Sequence, residues 1–239
     1  MNVALIFAGG TGTRMHNTGL PKQFIELYGK PIIIYTLEIF QKHKDIDAIV
    51  IPCVSGWEDY LGELVEKYHI TKVTKILTGG KDTQESKMIA LDYLKDRCQP
   101  DDIILLHDAV RPIISADLIS ANIASVKAYG NAITAATFQE TCIVSENRKD
   151  TKRTIPRNTL FIAKAPQSFY FKDVYAAHKR GMTMPYTITI DTCSLMTELG
   201  TKLHLVPCGN DNIKITTPDD YFMFKALIDL RETKNIFGI

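Results

Sequence analysis

Between Val3 and Ala136 the chain repeats one alternation: an apolar run of strand length, then a stretch whose apolar residues recur at helical spacing. Val3–Phe7, Ala48–Val54, Thr71–Leu77, Asp102–Leu106 and Ala132–Ala136 read as strands. Pro31–Gln41, Trp57–Tyr68, Thr83–Asp96 and Ala116–Tyr129 read as helices, the first entered through a proline that its opening turn tolerates. Repeated β–α–β units of this length dictate an α/β fold, a mainly parallel sheet with helices on both faces. In such sheets ligands bind beyond the carboxyl ends of the strands. The residues that follow each strand therefore carry the most functional weight.

The alternation breaks between about residues 138 and 160. Thr141–Ser145 and Thr151–Ile155 flank the polar run Glu146-Asn147-Arg148-Lys149-Asp150, which reads as a hairpin arm. Such an arm cannot bury both faces on its own domain, so it is expected to pack on a second copy of the chain as a dimerisation element. The α/β pattern then returns, with Lys202–Pro207 as a strand and Pro218–Glu232 as a closing helix. Residues 1–239 are expected to form a single domain plus the arm.

Net charge and cysteine usage narrow the function class. The formal net charge is +1, so no global field draws the chain to nucleic acid or to a membrane surface. No run approaches the roughly 18 apolar residues of a spanning helix, and the apolar start, ending at Gly9, reads as a strand rather than a signal peptide. Cys53, Cys98, Cys142, Cys193 and Cys208 are odd in number and never spaced C-x-x-C. That pattern suits a reducing, cytoplasmic setting and argues against a zinc site.

The strongest local signal is Ala8-Gly9-Gly10-Thr11-Gly12-Thr13-Arg14-Met15, directly after the first strand. Glycines let backbone approach a phosphate chain, whose oxygens loop N–H groups and Arg14 can bind; a plain tight turn explains a bare G-x-G equally well. The dinucleotide fingerprint needs a third glycine where Met15 stands, and a Walker loop needs Gly-Lys-Ser/Thr, which is absent. Leu20-Pro21-Lys22-Gln23-Phe24 supplies a stiffened lysine that makes a second phosphate clamp. His107-Asp108-Ala109-Val110-Arg111-Pro112 follows a buried strand, where Asp108 is well placed to hold Mg²⁺ against a triphosphate. Arg111 has two readings, phosphate binding or pairing with Asp108. Gly79-Gly80-Lys81 with Ser86 suits the edge of a base, or simply a helix start. Late in the chain, Lys214 is a further cation and Asp211 a candidate second metal carboxylate. Asp45-Ile46-Asp47 has the D-x-D spelling of glycosyltransferases but precedes a strand, so it reads as a solvated turn.

Taken together, these motifs resemble the family of CTP-dependent cytidylyltransferases (IspD/TarI type). The resemblance spans nearly the whole chain, adding Gly29-Lys30-Pro31, Ala165-Pro166-Gln167, Asp191 with Ser194 and Asn212-Ile213-Lys214-Ile215-Thr216. It implies a Rossmann-like fold of the nucleotide-diphospho-sugar transferase type, acting as a homodimer through the arm, with Mg²⁺ as cofactor. By motif position, Ala8, Gly9, Gly10, Thr11, Gly12, Gly80, Lys81 and Ser86 would surround the nucleotide. Arg14, Lys22 and Lys214 would hold its phosphates, and Asp108 the metal. Asp108, Arg111, Thr141 and Arg157 would meet the acceptor, Arg157 across the dimer. The implied reaction is in-line attack of an acceptor phosphate oxygen on the α-phosphorus of CTP, which needs positioning and charge rather than a general base. The motifs lean to the ribitol phosphate branch, while Ile155-Pro156-Arg157-Asn158 has the order of the methylerythritol phosphate branch. Two positions depart from both: Thr83 stands where an arginine is usual, and Lys164-Ala165 replaces Gln-Thr. A glycosyltransferase on a related fold and a non-catalytic nucleotide-binding regulator are the rival readings.

Overall fold

The structure, a computed structural model, describes residues 1–10, 19–185 and 191–237, with residues 234–237 as backbone only. Strands β1 (Asn2–Phe7), β4 (Ala48–Cys53), β5 (Val73–Thr78), β6 (Ile103–Asp108), β7 (Asn131–Thr137), β10 (Phe161–Tyr170) and β11 (Leu205–Pro207) form a seven-stranded sheet. Its order is β11-β7-β10-β6-β1-β4-β5. The pairs β1–β4, β1–β6, β4–β5 and β7–β11 are parallel, while β10 runs antiparallel to both β6 and β7. Two short strands, β2 (Glu26–Leu27) and β3 (Lys30–Pro31), make a separate small ladder.

The period-2 alternation of side chains splits the interior into two cores, one on each face of the sheet. Ala4, Ile6, Ile49, Ile51, Ile103 and Leu105 face the first core. There they meet α1 (Ile32–Lys42), α2 (Glu58–Lys67) and α4 (Ala116–Tyr129). Val3, Leu5, Val50, Ile104 and Leu106 face the second. They meet α3 (Thr83–Leu94), α5 (Phe171–Gly181) and α6 (Thr192–Glu198). These strands carry apolar residues on both faces because helices cover both, as a parallel sheet requires. The closing helix α7 (Pro218–Phe237) joins through a third cluster, in which Phe224 packs with Ile32, Val110 and Ile215. Among the described residues no helix is long and apolar enough to cross a membrane.

Most expected elements appear within a residue or two of the positions read from sequence. Strand β11 is shorter than the expected Lys202–Pro207, and α7 runs past Glu232. The largest difference is β10, an interior strand with no counterpart among the sequence expectations. Pro166 and Lys164 interrupt its apolar pattern, and a proline argues against a central strand. The sheet accommodates it through a register shift between Ala163 and Gln167. The arm forms the expected hairpin: β8 (Cys142–Val144) pairs antiparallel with β9 (Arg153–Ile155). Its turn is held by Asn147, whose Oδ1 accepts from the N–H groups of Lys149 and Asp150 at 2.9 and 3.1 Å.

Candidate functional site

Strands β1, β5 and β6 all end at one cleft. Its first half, a cavity of about 410 Å³, is lined by Gly9, Gly10, Lys22, Gly80, Lys81 and Ser86. The second, about 400 Å³, is lined by Lys87, Arg111, Lys164, Gln167, Asp191 and Thr192. Phe7, Thr83, Asp108 and Lys214 line both, so the two halves are continuous.

The glycine-lined half is built from glycine turns and the first turn of α3. Gly79 N–H donates to Cys53 O at 2.6 Å, and a Cβ on Gly79 would come within 2.8 Å of that oxygen. A side chain there would push the loop off the sheet. Ser86 Oγ accepts from Gly80 N–H at 3.0 Å and donates to Asp82 O at 2.8 Å, closing the loop onto the first turn of α3. Asp82 caps that helix by accepting from Glu85 N–H at 2.8 Å. Lys22 opens a one-turn 3₁₀ helix set by Pro21 (φ −57°). Its neighbours fix it in place: buried Gln23 donates to Ala8 O at 2.6 Å, and Phe24 stacks on Trp57 with ring centroids 5.3 Å apart. Ala8 itself is buried behind the cleft. Thr11, Gly12 and Arg14 lie outside the described residues.

The charged half combines one local ion pair with long-range contacts. By the alternation along β6, Asp108 falls on the same face as Ile104 and Leu106, toward α3 and α6. Its Oδ1 accepts from Lys214 Nζ at 2.7 Å and its Oδ2 from Arg111 Nε at 2.8 Å. Of the two readings of Arg111, the structure contains the pairing with Asp108. Burial alone would raise the Asp108 carboxyl; the Lys214 and Arg111 cations and their hydrogen bonds override it and hold the group far below the usual carboxylate range. Lys214 is presented by a segment anchored on both sides. Ile215 N–H donates to Val110 O at 2.9 Å, and buried Asn212 donates from Nδ2 to Ala165 O at 2.7 Å. Arg111 Nη1 donates to Asn212 O at 3.0 Å. Lys164 donates to Asn210 O at 3.2 Å, so its ammonium ties the same segment to β10.

The other sequence candidates lie elsewhere. Asp211 lines a separate depression, 3.6 Å from Arg231 Nη2, and does not converge with Asp108. Thr141 and Arg157 are exposed at the arm, where Arg157 Nη1 donates to Gln139 O at 3.2 Å; neither lines the cleft of its own chain. Among the described residues no three His, Cys, Asp or Glu side chains converge as a metal-binding group. Mg²⁺ bound mainly by substrate phosphates and water needs only one or two carboxylates. Asp108, a quarter exposed where the two halves meet, fits that demand.

Sequence reasoning missed Lys87, and with it the buried chain behind it. Lys87 is only 5% exposed, and burial lowers its ammonium to about 8, opposed by the carboxylates of Asp191 and Asp108. The signal was available: Lys87 stands four and seven residues before Leu91 and Leu94, both buried, on the face of α3 that should be apolar. Beneath it, His178 Nδ1–H donates to Gln84 Oε1 at 2.9 Å and its Nε2 accepts from Thr192 Oγ at 3.1 Å. Burial first, and Lys87 second, lower the His178 imidazolium to about 3.

The family model for IspD, described as 2-C-methyl-D-erythritol 4-phosphate cytidylyltransferase, matches residues 2–229. Over 100% of both chains, the sequence is 48% identical to the ribitol-5-phosphate cytidylyltransferase of Vibrio parahaemolyticus. It is 44% identical, again over 100% of both, to the ribitol-5-phosphate cytidylyltransferase of Streptococcus agalactiae serotype III. Among solved structures, 4-diphosphocytidyl-2C-methyl-D-erythritol synthase from Anaerococcus prevotii is similar with a TM-score of 0.81 at 25% identity, covering 95% of this chain and 96% of that one.

Proposed function

The chain belongs to the IspD family of cytidylyltransferases, and from that premise we propose that it transfers CMP from CTP to D-ribitol 5-phosphate, giving a CDP-polyol and pyrophosphate. The observation that carries the reading is the continuous cleft in which Asp108 and Lys214 line both halves. A bimolecular phosphoryl-type transfer requires two anionic substrates to meet at one cationic point, and such a junction supplies it.

The glycine-lined half takes the nucleotide. Gly9, Gly10 and Gly80 admit a close backbone approach, and Ser86 holds the Gly80–Lys81 loop against the first turn of α3. Lys22 and Lys214, with Arg14, bind the triphosphate. The acceptor phosphate enters from the charged half and attacks the α-phosphorus in line; it is already an anion near neutral pH, so no general base is needed. Cations aimed where charge builds in the transition state lower the barrier. Lys214 must exchange Asp108 for phosphate oxygen as substrates bind. Mg²⁺ held at Asp108 would neutralise phosphate charge and orient the pyrophosphate leaving group. Thr141 and Arg157 on the arm reach the acceptor of a second copy in a homodimer, an arrangement supported by exposed Ile143 on the arm. The setting is the cytoplasm.

Ribitol 5-phosphate is favoured by the full-length relatives at 44–48% identity that carry that name. A relative named for methylerythritol phosphate, from Clostridium novyi, is 37% identical over 95% of this chain. Pyrophosphate release from CTP and Mg²⁺ should therefore be measured with D-ribitol 5-phosphate, methylerythritol 4-phosphate and glycerol 3-phosphate in parallel. Highest kcat/KM with ribitol 5-phosphate is expected. Preference for methylerythritol 4-phosphate would reassign the acceptor, and silence with all three would overturn the reading.

A further inference from the structure

We propose that Lys87 is a specificity-determining residue for the acceptor, its ammonium donating to hydroxyl groups at the end of the polyol chain remote from the phosphate. The inference rests on the acceptor assignment above and adds the group that reads the rest of that molecule. Lys87 lines only the charged half of the cleft, beyond the junction at Asp108 and Lys214. The acceptor phosphate must lie at that junction to reach the α-phosphorus, so what reaches Lys87 is the tail.

The chemistry around Lys87 selects the kind of tail. An apolar tail would desolvate a buried ammonium and gain nothing from it. A second anionic group would meet the carboxylates of Asp191 and Asp108, both close enough to act on the Lys87 ammonium. A neutral hydroxylated chain meets neither obstacle: Lys87 supplies donors, Asp191 acceptors. Asp191 already accepts from Ser194 N–H and Oγ at 2.9 and 2.8 Å, which fixes its direction and leaves lone pairs for a ligand. The helix that carries Lys87 is also fixed in position. Lys87 follows Ser86, which closes the nucleotide loop, and its helix is tied to α5 and α6 by the Gln84–His178–Thr192 chain. One helix thus carries the nucleotide contact and the tail contact on successive residues, which sets the distance between them.

The test is steady-state pyrophosphate release by the full chain and by Lys87→Met and Lys87→Gln, with thermal melts to verify folding of each variant. Each protein is assayed with D-ribitol 5-phosphate and with glycerol 3-phosphate, which lacks the far hydroxyls, and with CTP varied separately. Loss of a hydrogen bond to a charged donor should lower the ribitol 5-phosphate to glycerol 3-phosphate ratio of kcat/KM roughly tenfold to a hundredfold. The change should appear in the KM for ribitol 5-phosphate and not in the KM for CTP. If both acceptors lose activity equally in the folded variants, or if the ratio does not move, Lys87 does not read the tail. A wild-type enzyme inactive with both acceptors overturns the acceptor assignment and this inference with it, an outcome distinct from an active enzyme whose ratio is insensitive to Lys87.

Discussion

The glycine-lined half of the cleft is closed by contacts within a few tens of positions, whereas the charged half also joins residues about a hundred positions apart. Gly80 meets Ser86, and Gln23 meets Ala8, across separations of 6 and 15 residues. Lys214 meets Asp108 and Arg111 meets Asn212 across separations of 106 and 101. The first kind of contact needs only a strand, a turn and a helix start in succession. The second needs β6, β10 and the segment before α7 all in place, so it forms only when the whole domain does. The difference also fits the division of labour: one pocket shaped by backbone, the other by charged side chains whose identity can change without disturbing the loops.

The comparison predicts effects of different size and kind in the two halves. Lys214→Ala removes a cation from the junction and, among the described residues, leaves Asp108 paired with Arg111; kcat should fall about 10²–10³-fold, or roughly 3–4 kcal/mol. Steady-state kinetics on the folded variant measures this, and near-normal kcat would break the claim that the junction is the reacting centre. Ser86→Ala loosens only a local loop. It should raise the KM for CTP roughly two- to tenfold, the worth of about 0.5–1.5 kcal/mol, with the acceptor KM unchanged. A larger effect on the acceptor would erase the distinction between halves. The smallest effect concerns stability behind the charged half. His178 is held neutral in the fold, well below its ordinary value of 6.5. Between pH 6.5 and about 3 the unfolded chain binds a proton there that the folded chain does not, so acidification across that window costs stability. His178→Gln should flatten the dependence of Tm on pH over the same range. An unchanged slope would mean that the buried chain contributes nothing specific to this half.

How far each half could be read in advance follows the same division. The Gly9–Gly10 turn, Pro21-Lys22 and Gly79-Gly80 with Ser86 were visible as local motifs, and Gly9, Gly10, Lys22, Gly80 and Ser86 meet in one cavity. In the charged half, Asp108 and Lys214 were each visible, but their pairing was not. Arg111 had two readings, and only the structure shows its 2.8 Å contact to Asp108. Asp211, placed near Lys214 by sequence, turns instead toward Arg231, because the anchors at Asn212 and Ile215 bracket Lys214 and leave Asp211 outside them. Lys87 was overlooked because a lysine inside a helical pattern ordinarily lies on the solvated face.

By itself the sequence determined the parallel strands, the helices between them, the hairpin and the end of the sheet at which the cleft opens. Those features are written in spacings of two to four residues, and the burial they specify is nearly independent of the rest of the chain. Only the tertiary structure decided that β10 enters the sheet antiparallel between β6 and β7, that Lys164 and Asn212 tie the Lys214 segment to it, and that Lys87 faces a polar cavity rather than water. Each of these depends on which distant surfaces meet, and a local pattern interrupted by Pro166 or by a buried lysine carries no record of the partner that satisfies it.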